Sequence, residues 1–152
     1  MRLPGVSPGL LGKRESWTDY SLASISFGHE IAVTPLQMVA ALSAIANGGT
    51  LMEPHITKAL MRDGKVVEQI KPKKIRRVIS KKTSQQMMEI LKFVVKEGTG
   101  KNAAVEGFDV AGKTGTAQKY ITKTKSYSKT EFVSSFIGYA PADAPRLVIL
   151  VM

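Results

Sequence analysis

The run Leu147-Val-Ile-Leu-Val151 constrains this chain more than any other feature. It does not alternate apolar with polar, as a half-exposed strand does, and it is too short for a buried helix. It reads as a strand covered on both faces. Such a strand needs neighbours to pair its edges and layers to cover its sides. Two upstream segments have the character of neighbours: Phe108 to Tyr120, rich in glycine and threonine, and Phe132 to Ala140. The segment Pro141-Ala-Asp-Ala-Pro145 reads as the turn between the second of these and the apolar run.

The covering layer is legible as two helices. Thr34 is a good N-cap, Pro35 suits the first helical position, and Gln37 completes a capping box. Leu36, Val39, Ala40, Leu42, Ile45 and Ala46 form an apolar stripe at helical spacing, and Asn47-Gly48-Gly49 stops the helix. Ser80 caps a second helix running to about Lys96, with Met87, Met88, Leu91, Val94 and Val95 as its buried stripe. Between the helices, Ile56 to Met61 and Val66 to Ile70 flank Asp63-Gly64 and read as a hairpin. Residues 1–30 show no sustained period and read as mostly irregular. The fold class is α+β, with helices packed on an antiparallel sheet. The chain stops inside its most apolar strand, which reads as a truncated C-terminus. The expectation is that part of the core comes from residues outside 1–152, and that the chain alone is poorly stable.

A chain of 152 residues corresponds to one domain, and 43% hydrophobic with 22% charged residues fits a globular one. No apolar run approaches the roughly 18 residues of a membrane span. The opening Met1-Arg-Leu-Pro-Gly-Val-Ser-Pro has no apolar core of a signal peptide. The absence of cysteine excludes disulfides, thiolate metal sites and a cysteine nucleophile. The net charge is +10, carried largely by Lys71-Pro-Lys-Lys-Ile-Arg-Arg77 and by the segment Lys119 to Lys129. Both read as solvated basic faces. A nucleic-acid surface is the alternative, but Tyr120 and Tyr127 are the only aromatics interleaved with the bases.

The segment Val110-Ala-Gly-Lys-Thr-Gly-Thr-Ala-Gln118 carries the chemistry. Gly107 to Thr114 fits the phosphate-loop pattern G-x-x-x-x-G-K-[ST], but no buried strand precedes it and Gly115-Thr116 opens a helix poorly. The competing reading is a Lys-Thr-Gly strand bordering an acyl-transfer site. There a lysine supplies positive charge, small hydroxyls meet a carboxylate, and a glycine lets substrate lie along the strand edge.

Four segments in order decide between these readings. Ala32-Val-Thr-Pro-Leu-Gln-Met38 with Ala46-Asn-Gly-Gly49, then Val94-Val-Lys-Glu-Gly-Thr-Gly100, then Val110 to Gln118, then Ser135-Phe-Ile-Gly-Tyr-Ala-Pro-Ala-Asp143 with Arg146-Leu-Val-Ile-Leu150, resemble the class B penicillin-binding proteins. The resemblance implies the penicillin-binding and serine β-lactamase-like transpeptidase fold, with residues 1–152 as the C-terminal part of one such domain. It implies a catalytic role for Lys113 beside the nucleophile and the substrate carboxylate, hydroxyls from Thr114 and Thr116 for that carboxylate, and the Thr116 N–H as an oxyanion donor. Gly115 keeps the edge open, and Gln118 extends the substrate-binding match.

The family nucleophile stands in S-x-x-K at a helix start, before the Lys-Thr-Gly strand. The only S-x-x-K here, Ser126-Tyr-Ser-Lys129, follows that strand and reads as coincidence. The S-x-N motif is absent, so this chain holds no nucleophile and is expected to be inert alone. His29-Glu30 stands where the family often has tyrosine and glycine, and reads as surface variation. His55 reads as an exposed strand residue, and no metal or cofactor is implied. The implied partners are peptidoglycan stem peptides, β-lactams, and other cell-wall synthesis or division proteins at the outer face of the bacterial cytoplasmic membrane. The alternatives are a non-catalytic β-lactam-sensing module of the same fold, or a basic nucleic-acid-binding domain.

Overall fold

The computed structural model describes residues 6–152. Residues 1–5 of the segment read as irregular lie outside the described residues. The rest of that segment holds short elements that no periodicity announces: β1 (Leu10–Leu11), a 3-10 turn at Arg14–Ser16 and α1 (Ser21–Ser26). β2 (Ile31–Ala32) pairs antiparallel with β1.

α2 (Pro35–Ala46) begins as its sequence dictates. Thr34 accepts from the Gln37 N–H at 3.2 Å, and the Gln37 carboxamide accepts from the Thr34 N–H at 2.8 Å. Such a cap stabilises a helix start by about 1 kcal/mol. The chain leaves α2 through Gly48 and Gly49, both at positive φ. It enters β3 (Thr50–Met52), then β4 (Ala59–Arg62) and β5 (Lys65–Gln69), an antiparallel hairpin. Asp63 and Gly64 both take positive φ (50° and 74°), the conformation that matches a two-residue turn to strand twist. Ile56 to Lys58, read as strand from sequence, precede the strand rather than join it.

The first basic run is more than a solvated face. β6 (Lys74–Arg77) pairs antiparallel with β3, and the Arg77 guanidinium donates to the carbonyls of Gly48 (2.7 Å) and Ile79 (3.1 Å). Arg77 thereby satisfies backbone acceptors at the α2 exit, a role composition does not announce. Ser80 then caps α3 (Lys81–Lys96) by accepting from the Thr83 N–H at 3.0 Å. The buried Ser84 ties this helix to α2 through the Ile45 carbonyl at 2.5 Å.

After a second 3-10 turn at Lys101–Ala103 come β7 (Ala111–Ile121), β8 (Ser126–Ala140) and β9 (Leu147–Val151), an antiparallel sheet in the order β7-β8-β9. The second basic run, read as a solvated face, is therefore the closed end of the β7–β8 hairpin. Ala111 and Lys113 on β7, Ile137 and Tyr139 on β8, and Val148 and Leu150 on β9 occupy matching register positions, so they share one face. α2 packs against β8 and β9 on that face, and α3 against β7. The core where they meet is built from Leu42, Leu91, Ala111, Tyr139 and Ala142, with Ile45, Met88 and Val148 around it.

β9 departs from expectation. Val148 and Leu150 are half-buried, but Leu147, Ile149 and Val151 are 57–62% exposed. The helices cover one face; on the other, Ala103, Val105 and Val110 form an open apolar cleft with Phe136, Leu147 and Ile149 and cover it only in part. The same openness shows in the total. The chain exposes 11957 Å², against about 7,600 Å² for a compact monomer of this mass. The sheet thus buries one layer of its apolar surface and leaves much of a second in water.

Candidate active site

Lys113, Thr114, Gly115, Thr116 and Gln118 all lie on β7, the edge strand of the three-stranded sheet. Its partner across the ladder is β8, with Thr114 opposite Phe136, Gly115 opposite Ser135 and Thr116 opposite Ser134. Lys113, Thr116 and Gln118 are exposed, while Thr114 and Gly115 are half-buried. The strand therefore presents a lysine ammonium, two hydroxyls and an amide along one accessible stretch.

The Lys113 ammonium donates to the Thr114 carbonyl at 2.8 Å and reaches the Thr114 hydroxyl at 3.3 Å. The same hydroxyl lies 2.8 Å from the hydroxyl of Thr99. Thr99 follows α3 in Gly98-Thr99-Gly100, where the Gly98 and Gly100 N–H groups both donate to the Val94 carbonyl. This turn brings two segments of the sequence pattern together, Val94 to Gly100 and Val110 to Gln118. Thr99 is a polar neighbour of the strand that side-chain type alone does not reveal. Its signal lies in the segment around it.

Glycines fix how closely β7 and β8 approach. A Cβ on Gly112 would stand 2.7 Å from the Ile137 carbonyl oxygen and 3.0 Å from the Gly138 Cα. A Cβ on Gly115 would meet only the Ser135 hydroxyl, at 2.6 Å. The glycine of the Lys-Thr-Gly triplet thus faces a small side chain that can turn away, whereas Gly112 is hemmed in by the Phe136 ring and by the backbone of Ile137 and Gly138.

The phosphate-loop alternative does not survive the geometry. Gly107 precedes an isolated bridge residue, Phe108, and Gly112 to Thr114 continue into β7, with no helix following. Ser126 sits at the start of β8 opposite Ile121, not at a helix start, and its hydroxyl contacts Thr124 at 2.8 Å. Among the described residues, no group of three or more His, Asp or Glu side chains could hold a metal. His55 is exposed, with Nδ1 3.3 Å from the Glu53 carbonyl.

Glu30 is more than surface variation. It takes φ 57° and accepts from the buried Ser21 hydroxyl at 2.9 Å. Hydrogen bonds from Ser24 and Ser21 hold its carboxyl below the usual value.

The description "penicillin binding protein transpeptidase domain" fits residues 1–152 in full. The chain belongs to this family. The stage V sporulation protein D of Bacillus subtilis is 46% identical over 151 residues, which are 98% of this chain and 23% of that protein. A Pseudomonas aeruginosa protein named "Probable peptidoglycan D,D-transpeptidase PbpC" is 34% identical over 150 residues, 98% of this chain and 24% of its own length. The penicillin-binding protein 3 of Mycobacterium tuberculosis, solved in complex with aztreonam, matches 97% of this chain and 34% of its own at TM-score 0.87 and 37% identity. The α+β fold is thus that of penicillin-binding transpeptidase domains, and the chain spans about a quarter of the length of the curated relatives it matches. No helix among the described residues is long and apolar enough to cross a membrane.

Proposed function

We propose that this chain contributes the Lys113-Thr114-Gly115 strand to a serine-type peptidoglycan D,D-transpeptidase, as the C-terminal part of its transpeptidase domain. The observation that carries this reading is the placement of the triplet on an accessible edge strand, braced by Thr99. Edge strands leave N–H and C=O groups free for an extended substrate.

In this reading a serine outside residues 1–152 attacks the carbonyl carbon of a stem peptide ahead of its terminal D-alanine. The peptide C–N bond breaks, the D-alanine amine leaves with a proton, and an ester joins the acyl group to the serine oxygen. An amine on a second strand then attacks the ester, its C–O bond breaks, and the serine regains its proton. Lys113 supplies positive charge near the nucleophile and the substrate carboxylate, and Thr114 and Thr116 offer hydroxyls to that carboxylate. The Thr116 N–H stabilises the oxyanion, a contribution of about 3 kcal/mol for a single donor in comparable sites. Gly115 leaves room along the edge, and Gln118 extends the contact. β-Lactams enter as mimics of the stem peptide. The enzyme works at the outer face of the bacterial cytoplasmic membrane, held by an anchor outside this chain, alongside other cell-wall synthesis proteins.

The open apolar face supports the same reading, because a strand such as Leu147–Val151 gains its full stabilisation only when covered on both sides. The test is fluorescent-penicillin labelling followed by a denaturing gel. A chimera that carries this chain in place of the matching segment of the Bacillus subtilis relative labels covalently, and the isolated chain does not. Label on the isolated chain, mapped to any serine including Ser126, overturns the reading.

A further inference from the structure

β9 pairs only with Phe136–Ala140, so beyond Gln118 and Phe132 the strands β7 and β8 continue as a ribbon with no third strand. Two-stranded ribbons are marginally stable in water. This one adds little to the core. Its residues are exposed apart from Ser128, whose hydroxyl accepts from the N–H groups of Thr130 (3.2 Å) and Glu131 (2.9 Å). Tyr120 and Tyr127 stand directly opposite each other and pack edge to face at 5.5 Å, yet remain 56% and 59% exposed. Around them lie Lys119, Lys123, Lys125 and Lys129. Lys119 reaches Glu131 at 3.9 Å. Among the described residues, Lys123, Lys125 and Lys129 have no carboxylate in ion-pair contact.

We propose that the closed end of the β7–β8 hairpin is a binding surface for a carboxylate-bearing glycan–peptide polymer, the cell-wall strand itself, distinct from the Lys113–Gln118 edge. The aromatic rings offer apolar faces to the C–H groups of sugars, and the lysines offer cations to carboxylates. Continuity selects the occupant. Tyr120 lies four residues beyond Thr116 on the same strand, about 13 Å away. A β-bulge between Gln118 and Tyr120 bends the strand there, but the ribbon stays covalently continuous with the site edge, so a polymer engaged along β7 lies within reach of the tip, and the lysines complement its carboxylates. A lipid surface fits less well, because Ile121, the one aliphatic residue of the tip, is only 36% exposed. This inference rests on the transpeptidase reading for its choice of polymer.

The test is co-sedimentation of the chimera with purified peptidoglycan sacculi stripped of attached anionic polymers, at low ionic strength, with the chimera spun alone as the blank. The chimera carrying the wild-type segment sediments only with sacculi. Replacing Lys123, Lys125 and Lys129 together by alanine weakens binding about tenfold, the loss expected of three exposed ion pairs. Tyr120→Ala with Tyr127→Ala weakens it about fivefold, and that loss persists at high salt, where the lysine effect is screened. Amidation of the wall carboxylates removes the lysine dependence. Because all five side chains are exposed, circular dichroism of each variant matches wild type. Failure of the wild type to sediment overturns the proposal, as does wild-type binding by the lysine variant. So does equal or tighter lysine-dependent binding to anionic phospholipid vesicles or to DNA. The same variants of the chimera keep their rate of acylation by a small penicillin, so failure of the tip and failure of the transpeptidase reading are separable.

Discussion

The hydroxyls of Thr99 and Thr114 lie 2.8 Å apart and join the turn after α3 to the middle residue of the Lys-Thr-Gly triplet. Their separation in sequence is short, but the elements they join are different, a helix exit and a sheet edge. The contact holds Thr114 while Lys113 donates to the Thr114 carbonyl. Thr99→Val keeps the shape and removes the hydroxyl. In the chimera it lowers the penicillin acylation rate roughly threefold to tenfold, with a stability loss of about 1 kcal/mol or less, as for one exposed neutral hydrogen bond. Stopped-flow acylation and denaturant melts on the same preparation check both figures.

Gly112 and Gly115 separate packing from access. Gly112→Ala forces a methyl against the backbone of Ile137 and Gly138 and destabilises the chain by about 2 kcal/mol or more. Gly115→Ala displaces only the Ser135 hydroxyl and costs less than about 1.5 kcal/mol. Denaturant midpoints of the two variants, compared at equal m-value, give the difference directly.

Tyr139 is 2% exposed, and its hydroxyl has no hydrogen-bond partner among the described residues. Burial pushes this phenol above its ordinary 10.0. Tyr139→Phe removes an unsatisfied polar atom and stabilises the chain by about 1 kcal/mol. The raised value also fixes the alkaline behaviour. Below pH 10 the phenol is neutral in both states, and stability falls as pH rises from there through the folded value, because the unfolded phenol ionises first. The phenylalanine variant accordingly unfolds at higher pH than wild type, read by circular dichroism across an alkaline titration.

Glu30 gives the opposite pH dependence. Its carboxyl is held below 4.5 by hydrogen bonds from Ser24 and Ser21. The stabilisation is present above the unfolded value and is lost as pH falls through the folded one. This one contribution is lost below pH 4.5, and Glu30→Gln removes it from the acid limb without altering the dependence of stability on pH near neutrality. Melting temperatures between pH 3 and 7 for the two proteins are the check.

What the sequence made legible follows from which physics is local. The capping box at Thr34 and Gln37, the Ser80 cap and the Asp63-Gly64 turn are contacts within a few residues, and each forms as read. Long-range facts were hidden. Nothing local announces that Lys74–Arg77 pairs with Thr50–Met52, because a basic run reads as solvent-facing until its partner strand is known. The basic run after Gln118 reads only as a solvated face because the ribbon buries almost nothing, so no alternation of apolar residues marks its strands. The strand Leu147–Val151 records a two-sided environment in its composition, and this chain covers one side with helices and the other only in part. At the site, residue types and order placed Lys113 to Gln118 on one strand, but the Thr99 brace depends on where α3 delivers the chain.

The acylation rate of the chimera by a fluorescent penicillin, measured for wild type and for Lys113→Ala, tests the central claim most directly. Lys113 is exposed on β7 beside Thr114, so its truncation leaves the fold intact and the melting temperature unchanged. The account predicts a loss of about a hundredfold or more in the second-order acylation constant, the size expected for a charge aligned to the transition state. A Lys113→Ala chimera that acylates within about threefold of wild type would contradict it.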